Sequence, residues 1–176
     1  MEELIREWGY IVLFLYSFGG GFVALVVAGV LSFSGELNLY ISMIVAGIAN
    51  FLGDQFLFYL TVFNKDMTDG ILKNYRRKIA YTKLLLKKFG WVAIFLQKYI
   101  YGVKTLIPIV IGLAKYDSKK FLIFNLLATI VWAVVIGYTS FTLGEVLLSL
   151  NDEFKYYIIG FVVVIIIAIS QFMKKI

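Results

Sequence analysis

The chain has 176 residues, 61% of them hydrophobic and 18% aromatic, with only 16% charged, a composition outside that of a water-soluble domain of this length. Its net charge is +6 and it contains neither cysteine nor histidine, which excludes disulfides, thiol chemistry and the usual transition-metal ligands, so neither a metal nor a cofactor is expected. The implied class is an all-α polytopic membrane protein, read as one transmembrane domain over residues 1–176.

In chain order, the first repeat covers residues 1–63. The start, Met1-Glu2-Glu3-Leu4-Ile5-Arg6-Glu7, is acidic and no small-residue cleavage site follows, so the first apolar segment is expected to stay in the mature protein. Residues 8–35 carry no charge but are interrupted by Gly19-Gly20-Gly21, where three glycines favour a turn over a continuous helix. Two readings stay open: a re-entrant hairpin with the acidic N-terminus outside, or a plain span with Met1 inside. Residues 37–63 then make a full span whose only charge is Asp54.

Residues 64–90 form a basic segment. Lys65, Lys73, Arg76, Arg77, Lys78, Lys83, Lys87 and Lys88 are opposed only by Asp66 and Asp69, which places the segment on the cytoplasmic side by the positive-inside rule. Ile71, Leu72, Tyr75, Ile79, Thr82, Leu86 and Phe89 recur at helical spacing, the pattern of an amphipathic helix on a membrane surface.

The second repeat, residues 91–144, is threaded by charge. If residues 89–114 crossed once, Lys115, Lys119, Lys120, Lys174 and Lys175 would fall outside and Glu145, Asp152 and Glu153 inside, against the rule. A segment that enters and returns restores all of them. Tyr101-Gly102 and Pro108 can break a helix at membrane depth, while Lys98 and Lys104 require water or a partner there. A lone charge at the bilayer centre costs at least about 2.5 kcal/mol. A full span over 121–144 follows, then a C-terminal transmembrane helix over 155–173 with its end in the cytoplasm. The plan is two inverted repeats, each a broken re-entrant hairpin plus a transmembrane helix, as in secondary transporters whose broken helices meet near the midplane.

Several stretches resemble the DedA family, whose eukaryotic relatives carry the VTT or SNARE-associated domain. Ala28-Gly29-Val30-Leu31 with Gly35-Glu36-Leu37-Asn38, and Gly53-Asp54 with Tyr59, are similar to its first-repeat motifs. The run from Phe95 through Gln97, Lys98, Tyr101, Gly102 and Lys104 to Pro108, followed by Gly112, Phe121, Asn125 and Trp132, is similar to its second-hairpin signature. The departures are lysine at both arginine positions, Tyr101 at a proline and Phe22 near the place of an acidic residue. The resemblance therefore does not carry over proton coupling, which the family is thought to run through membrane carboxylates. It implies a lipid flippase or scramblase of the bacterial cytoplasmic (inner) membrane, handling undecaprenyl phosphate or a phospholipid.

The residues allow that function and alternatives to it. Lys98 and Lys104, with Gly102 and the broken backbone at Gly20 and Gly21, can offer charge and N–H donors to a phosphate; equally, both lysines can snorkel to the interface as anchors. Asp54 either neutralises one of them or carries a proton. Asn125 suits a contact to a neighbouring helix or an unwound carbonyl, Gly47 and Gly53 suit close helix approach, and Trp8, Trp91 and Trp132 read as interface anchors. An ion-coupled solute transporter or a membrane scaffold are the alternatives, and no nucleophile and base pair supports an enzyme. Expected partners are membrane lipids with anionic or phosphate-bearing head groups and no nucleic acid, with a homodimer left open.

Overall fold

A computed structural model describes residues 2–64, 76–99, 104–114 and 116–149. The start of the basic segment, residues 100–103 with Gly102, and the C-terminal helix expected over 155–173 lie outside the described residues. Among the described residues every regular element is an α-helix: α1 (Glu2–Gly19), α2 (Phe22–Phe33), α3 (Leu39–Phe63), α4 (Arg76–Phe89), α5 (Val92–Leu96), α6 (Leu106–Leu113) and α7 (Ser118–Ser149). That is the expected class, because only a helix satisfies its backbone within one segment in lipid.

Length separates these helices into two kinds. Among the described residues α3, with 25 residues, and the Ser118–Val146 part of α7, with 29, are long and apolar enough to cross a membrane. At 1.5 Å per residue, α2 with its 12 residues reaches only about 18 Å, against a hydrocarbon core of roughly 30 Å. The chain breaks between α1 and α2 where the glycines stand. Gly21 has φ 49°, and a Cβ there would overlap the backbone of Ser17, so only glycine makes this corner.

Helix ends follow their sequence. α2 stops at Gly35, whose φ of 84° allows the Glu36 N–H to reach the Leu31 carbonyl at 3.0 Å and the Gly35 N–H to reach that of Ser32 at 3.3 Å, a Schellman closure. Asn38 caps α3, its Oδ1 accepting from the Tyr40 and Ile41 N–H groups at 3.0 and 3.1 Å, while its own N–H donates to the Tyr10 hydroxyl. Asp117 caps α7 through the Lys120 N–H at 2.8 Å. Pro108 lies in the first turn of α6. Its missing N–H is an orphan at that position, so it starts a helix instead of breaking one, contrary to the sequence reading.

Packing joins each short helix to a long one. α2 lies along α7, and α6 lies along α3. Both contacts run over glycine: a Cβ on Gly29 would stand 2.5 Å from Ser140 Cβ and 3.2 Å from the Gly137 oxygen, and one on Gly112 would stand 3.0 Å from the Phe58 oxygen and from Thr61 Cβ. Gly53 receives the first hairpin so closely that a Cβ would overlap the Phe18 carbonyl. Gly47 has no such role, because a Cβ there would meet Ala133 at an ordinary 3.6 Å. Two apolar clusters result, one of Leu13, Leu25, Met43, Ala46 and Trp132 with their neighbours, the other of Phe58, Ile94, Ile107, Ile111 and Phe121. The stacked rings of Phe58 and Phe121, 4.5 Å apart, close the second. The outward faces of α3 and α7 carry exposed Ile41, Ile44, Ile48, Leu52, Phe56, Leu126, Ile130 and Val134, as a lipid-facing surface requires. Thr61 and Ser140 bond their own backbone, Thr61 to Leu57 O at 2.8 Å and Ser140 to Ile136 O at 2.6 Å, so neither needs water.

Candidate functional site

Polar side chains collect between the two apolar clusters. Asn50 and Asp54 stand four apart on α3, one turn on the same face, and Thr129 faces them from α7. The turn after α5 brings in Lys98. Its Nζ donates to Asp54 Oδ2 at 2.5 Å, Asn50 Oδ1 at 2.6 Å and Thr129 Oγ1 at 2.8 Å. An ammonium has three protons and no acceptor, so Lys98 is saturated by these contacts. Both charges of the Lys98–Asp54 pair are almost fully buried, with side-chain exposures of 0% and 3%.

Lys104 is held differently. It is also buried, at 8% exposure, and its Nζ donates to the carbonyl of Gly20 at 2.9 Å while lying 5.7 Å from the centre of the Trp132 ring. The second hairpin thus reaches the corner of the first. Trp132 is wholly buried, unlike the exposed Trp8 and Trp91, which corrects its reading as an interface anchor. A Trp face stabilises a desolvated cation by about 2 kcal/mol, and one on a helix facing the bundle interior finds that partner where an interfacial one finds head groups.

Neither neighbouring helix start has a side-chain cap: Gly21 before α2 and Thr105 before α6 make no such bond. The Phe22 N–H turns back to the Gly20 carbonyl at 2.8 Å; the other N–H groups of these uncapped first turns and their positive dipole ends stay available to an anion. Among the described residues several buried polar atoms stand without a protein partner, including Asn50 Nδ2, whose Oδ1 accepts from Lys98, Trp132 Nε1, on the ring at Lys104, and both side-chain polar atoms of Gln97, next to Lys98 in the chain. Native interiors leave few such groups, and each calls for water or a ligand.

The structure therefore gathers Asp54 with Lys98, and Gly20 with Lys104. Gly21 supplies the corner, and Asn125 donates to the Phe51 carbonyl at 3.5 Å, contacting the next helix instead of the lysines. Asn50, Thr129, Gln97 and Trp132 are additions to the sequence reading. A signal for Asn50 existed, since it lies one turn from Asp54, the one acid of its span; nothing in the sequence marked Thr129. Among the described residues no group of His, Cys, Asp or Glu could hold a metal.

The model of the VTT domain matches residues 8–142. The chain is 21% identical to the Inner membrane protein YohD of Escherichia coli over 183 residues, covering 99% of this chain and 94% of the relative. It is 26% identical to the Protein DedA of the same species over 188 residues, covering 95% and 84%. No solved structure matches.

Proposed function

The chain belongs to the VTT-domain, or DedA, family, and from that premise we propose that it is a lipid transporter, a flippase or scramblase that passes a phosphate-bearing head group across a bacterial inner membrane without chemical conversion. One observation carries this reading. Among the described residues Lys104 is a buried cation with a single protein acceptor, set over an aromatic face beside two uncapped helix starts. Such a group retains two donors and a full charge for an anion from the membrane. Lys98 holds the opposing helices together through Asp54, Asn50 and Thr129, and so builds the site without touching the lipid.

Under this reading α1 to α3 and α5 to α7 are inverted repeats whose hairpins re-enter from opposite sides. Support comes from the reciprocal packing of α2 on α7 and α6 on α3. The positions touched by Gly29 and Gly112 correspond: Phe58 and Gly137, and Thr61 and Ser140, are separated by the same number of residues, as are Asn50 and Thr129, the two uncharged acceptors of Lys98. The basic 64–90 segment and the C-terminus face the cytoplasm. A proton- or ion-coupled solute transporter fits less well, because the one intramembrane acid of the described helices is committed to Lys98.

The test is translocation of fluorescent phospholipid in proteoliposomes at equal protein content. Lys104→Ala is expected to reduce the rate to near the protein-free level, and Lys104→Arg to preserve or raise it, since guanidinium keeps the charge and adds a bidentate fork. Wild-type translocation by Lys104→Ala overturns the assignment.

A further inference from the structure

The charge of this interior can be counted completely, because the apolar segments hold so few ionisable side chains. Residues 8–35 and 121–144 carry no Asp, Glu, Lys or Arg; residues 37–64 carry only Asp54; residues 89–114 carry only Lys98 and Lys104; residues 156–173 carry none. Lys98 and Asp54 neutralise each other in direct contact. α2 carries no charged side chain, and those of α1, Glu2, Glu3, Arg6 and Glu7, lie in its first two turns, at the end away from the Gly20 carbonyl that Lys104 reaches. α3 offers only Asp54, already engaged, and α7 offers the Trp132 ring, its own charges Lys119, Lys120 and Glu145 lying toward its two ends. The site is therefore left with one uncompensated positive charge. Two neutral donors stand by, Asn50 Nδ2 on the amide that Lys98 engages and Trp132 Nε1 on the ring under Lys104; they can solvate a ligand but cannot change its charge balance.

Resting on the proposed transport function, we infer that the site selects a head group with a single negative charge, a phosphodiester, over the doubly charged phosphomonoester. The physical reason is desolvation. A phosphodiester against Lys104 gives a neutral buried assembly, whereas a phosphomonoester near pH 7 carries about −1.5 to −2 and leaves surplus charge in a low dielectric without a counter-charge. Uncapped helix starts and amide dipoles soften that surplus only in part, since each is worth a fraction of a charge. By this count undecaprenyl phosphate, a monoester, is a poorer substrate than diacyl phosphodiester lipids.

The decisive comparison uses wild-type protein in proteoliposomes and two fluorescent acyl-labelled probes that differ by one methyl ester: phosphatidylmethanol, a diester, and phosphatidic acid, a monoester. At about pH 7 the diester is expected to cross roughly tenfold faster or more, a margin well below the interaction of one unit charge at contact distance in a protein interior. Near pH 5.5, below the second phosphate pKa of about 6, the gap should close because phosphatidic acid becomes singly charged, while the diester rate, measured at both pH values, corrects for any change in the protein itself. Equal or faster transport of phosphatidic acid at pH 7 overturns the charge-balance inference and leaves phospholipid transport standing. If neither probe moves, or if Lys104→Ala moves both at the wild-type rate, the transport reading falls and takes this inference with it.

Discussion

Lys98 and Lys104 belong to the same hairpin, carry the same charge and are both buried, yet their surroundings differ. Lys98 ends among an aspartate, an asparagine and a threonine drawn from two long helices, and every proton it has is spoken for. Lys104 ends on one backbone carbonyl of the opposite hairpin and on the face of an indole. Burial of a charge therefore says little by itself about its role. What separates a brace from a binding group is how many of its donors the protein already uses, and whether an opposite charge sits beside it.

The brace gives the largest expected effect. Asp54→Asn leaves the Lys98 ammonium without its counter-charge, and breaking a buried pair from one side costs about 3–5 kcal/mol. In detergent the variant should unfold at a clearly lower temperature than wild type, and adding Lys98→Met should recover much of the loss, because a linear apolar side chain of similar length removes the orphaned charge. Unfolding of Asp54→Asn at the wild-type temperature would mean that the pair does not hold the long helices together. Loss of transport with unchanged stability and no recovery in the double variant would instead make Asp54 a proton carrier.

Much of this arrangement was legible before any coordinates. Charge-free runs marked the long helices, the glycines marked the corner at Gly20 and Gly21, and the isolation of Asp54 among apolar residues marked it as a partner for one of two lysines. The choice between Lys98 and Lys104 was not legible, since it depends on which side of the second hairpin faces α3, and the sequence between α5 and α6 carries no pattern that encodes direction. Thr129 was invisible for a related reason. A threonine in a membrane helix usually bonds its own backbone, as Thr61 does, and only the arrival of Lys98 from another element turns it outward. Trp132 was misread because aromatic residues signal an interface by composition, whereas its face is fixed by helical phase with Ala128, Thr129 and Ile136, all buried on the inner side of α7.

The next effect concerns how the first hairpin reaches the brace. Gly53 precedes Asp54 and lies against the Phe18 carbonyl, while Gly47 has room for a methyl group. Gly53→Ala is expected to destabilise by about 1–3 kcal/mol, as overpacking of a close backbone contact does. Gly47→Ala should stay within about 0.5 kcal/mol or gain slightly from helix propensity. Equal thermal stability of the two variants would show that the corner near Gly20 is not pressed against α3, and the position of Lys104 would then need another support.

The smallest expected stability effect is also the one that most sharply divides the two lysines. Lys98→Ala strands the Asp54 carboxylate in the interior, with Asn50 and Thr129 losing the donor they share, so its cost should match that of Asp54→Asn at about 3–5 kcal/mol. Lys104→Ala strands nothing charged. It removes one hydrogen bond to a backbone carbonyl, worth about 1.5–3 kcal/mol for a charged donor, and a cation–π contact of up to about 2 kcal/mol, but it also removes the burden of an uncompensated charge held out of water, a term of several kcal/mol with the opposite sign. These nearly cancel, and the unfolding temperature of Lys104→Ala should lie close to that of wild type even as transport is lost. Thermal unfolding of both variants in the same detergent reads the difference directly. Equal destabilisation by the two substitutions would make Lys104 a second brace, and the uncompensated charge assigned to the lipid would have to be withdrawn.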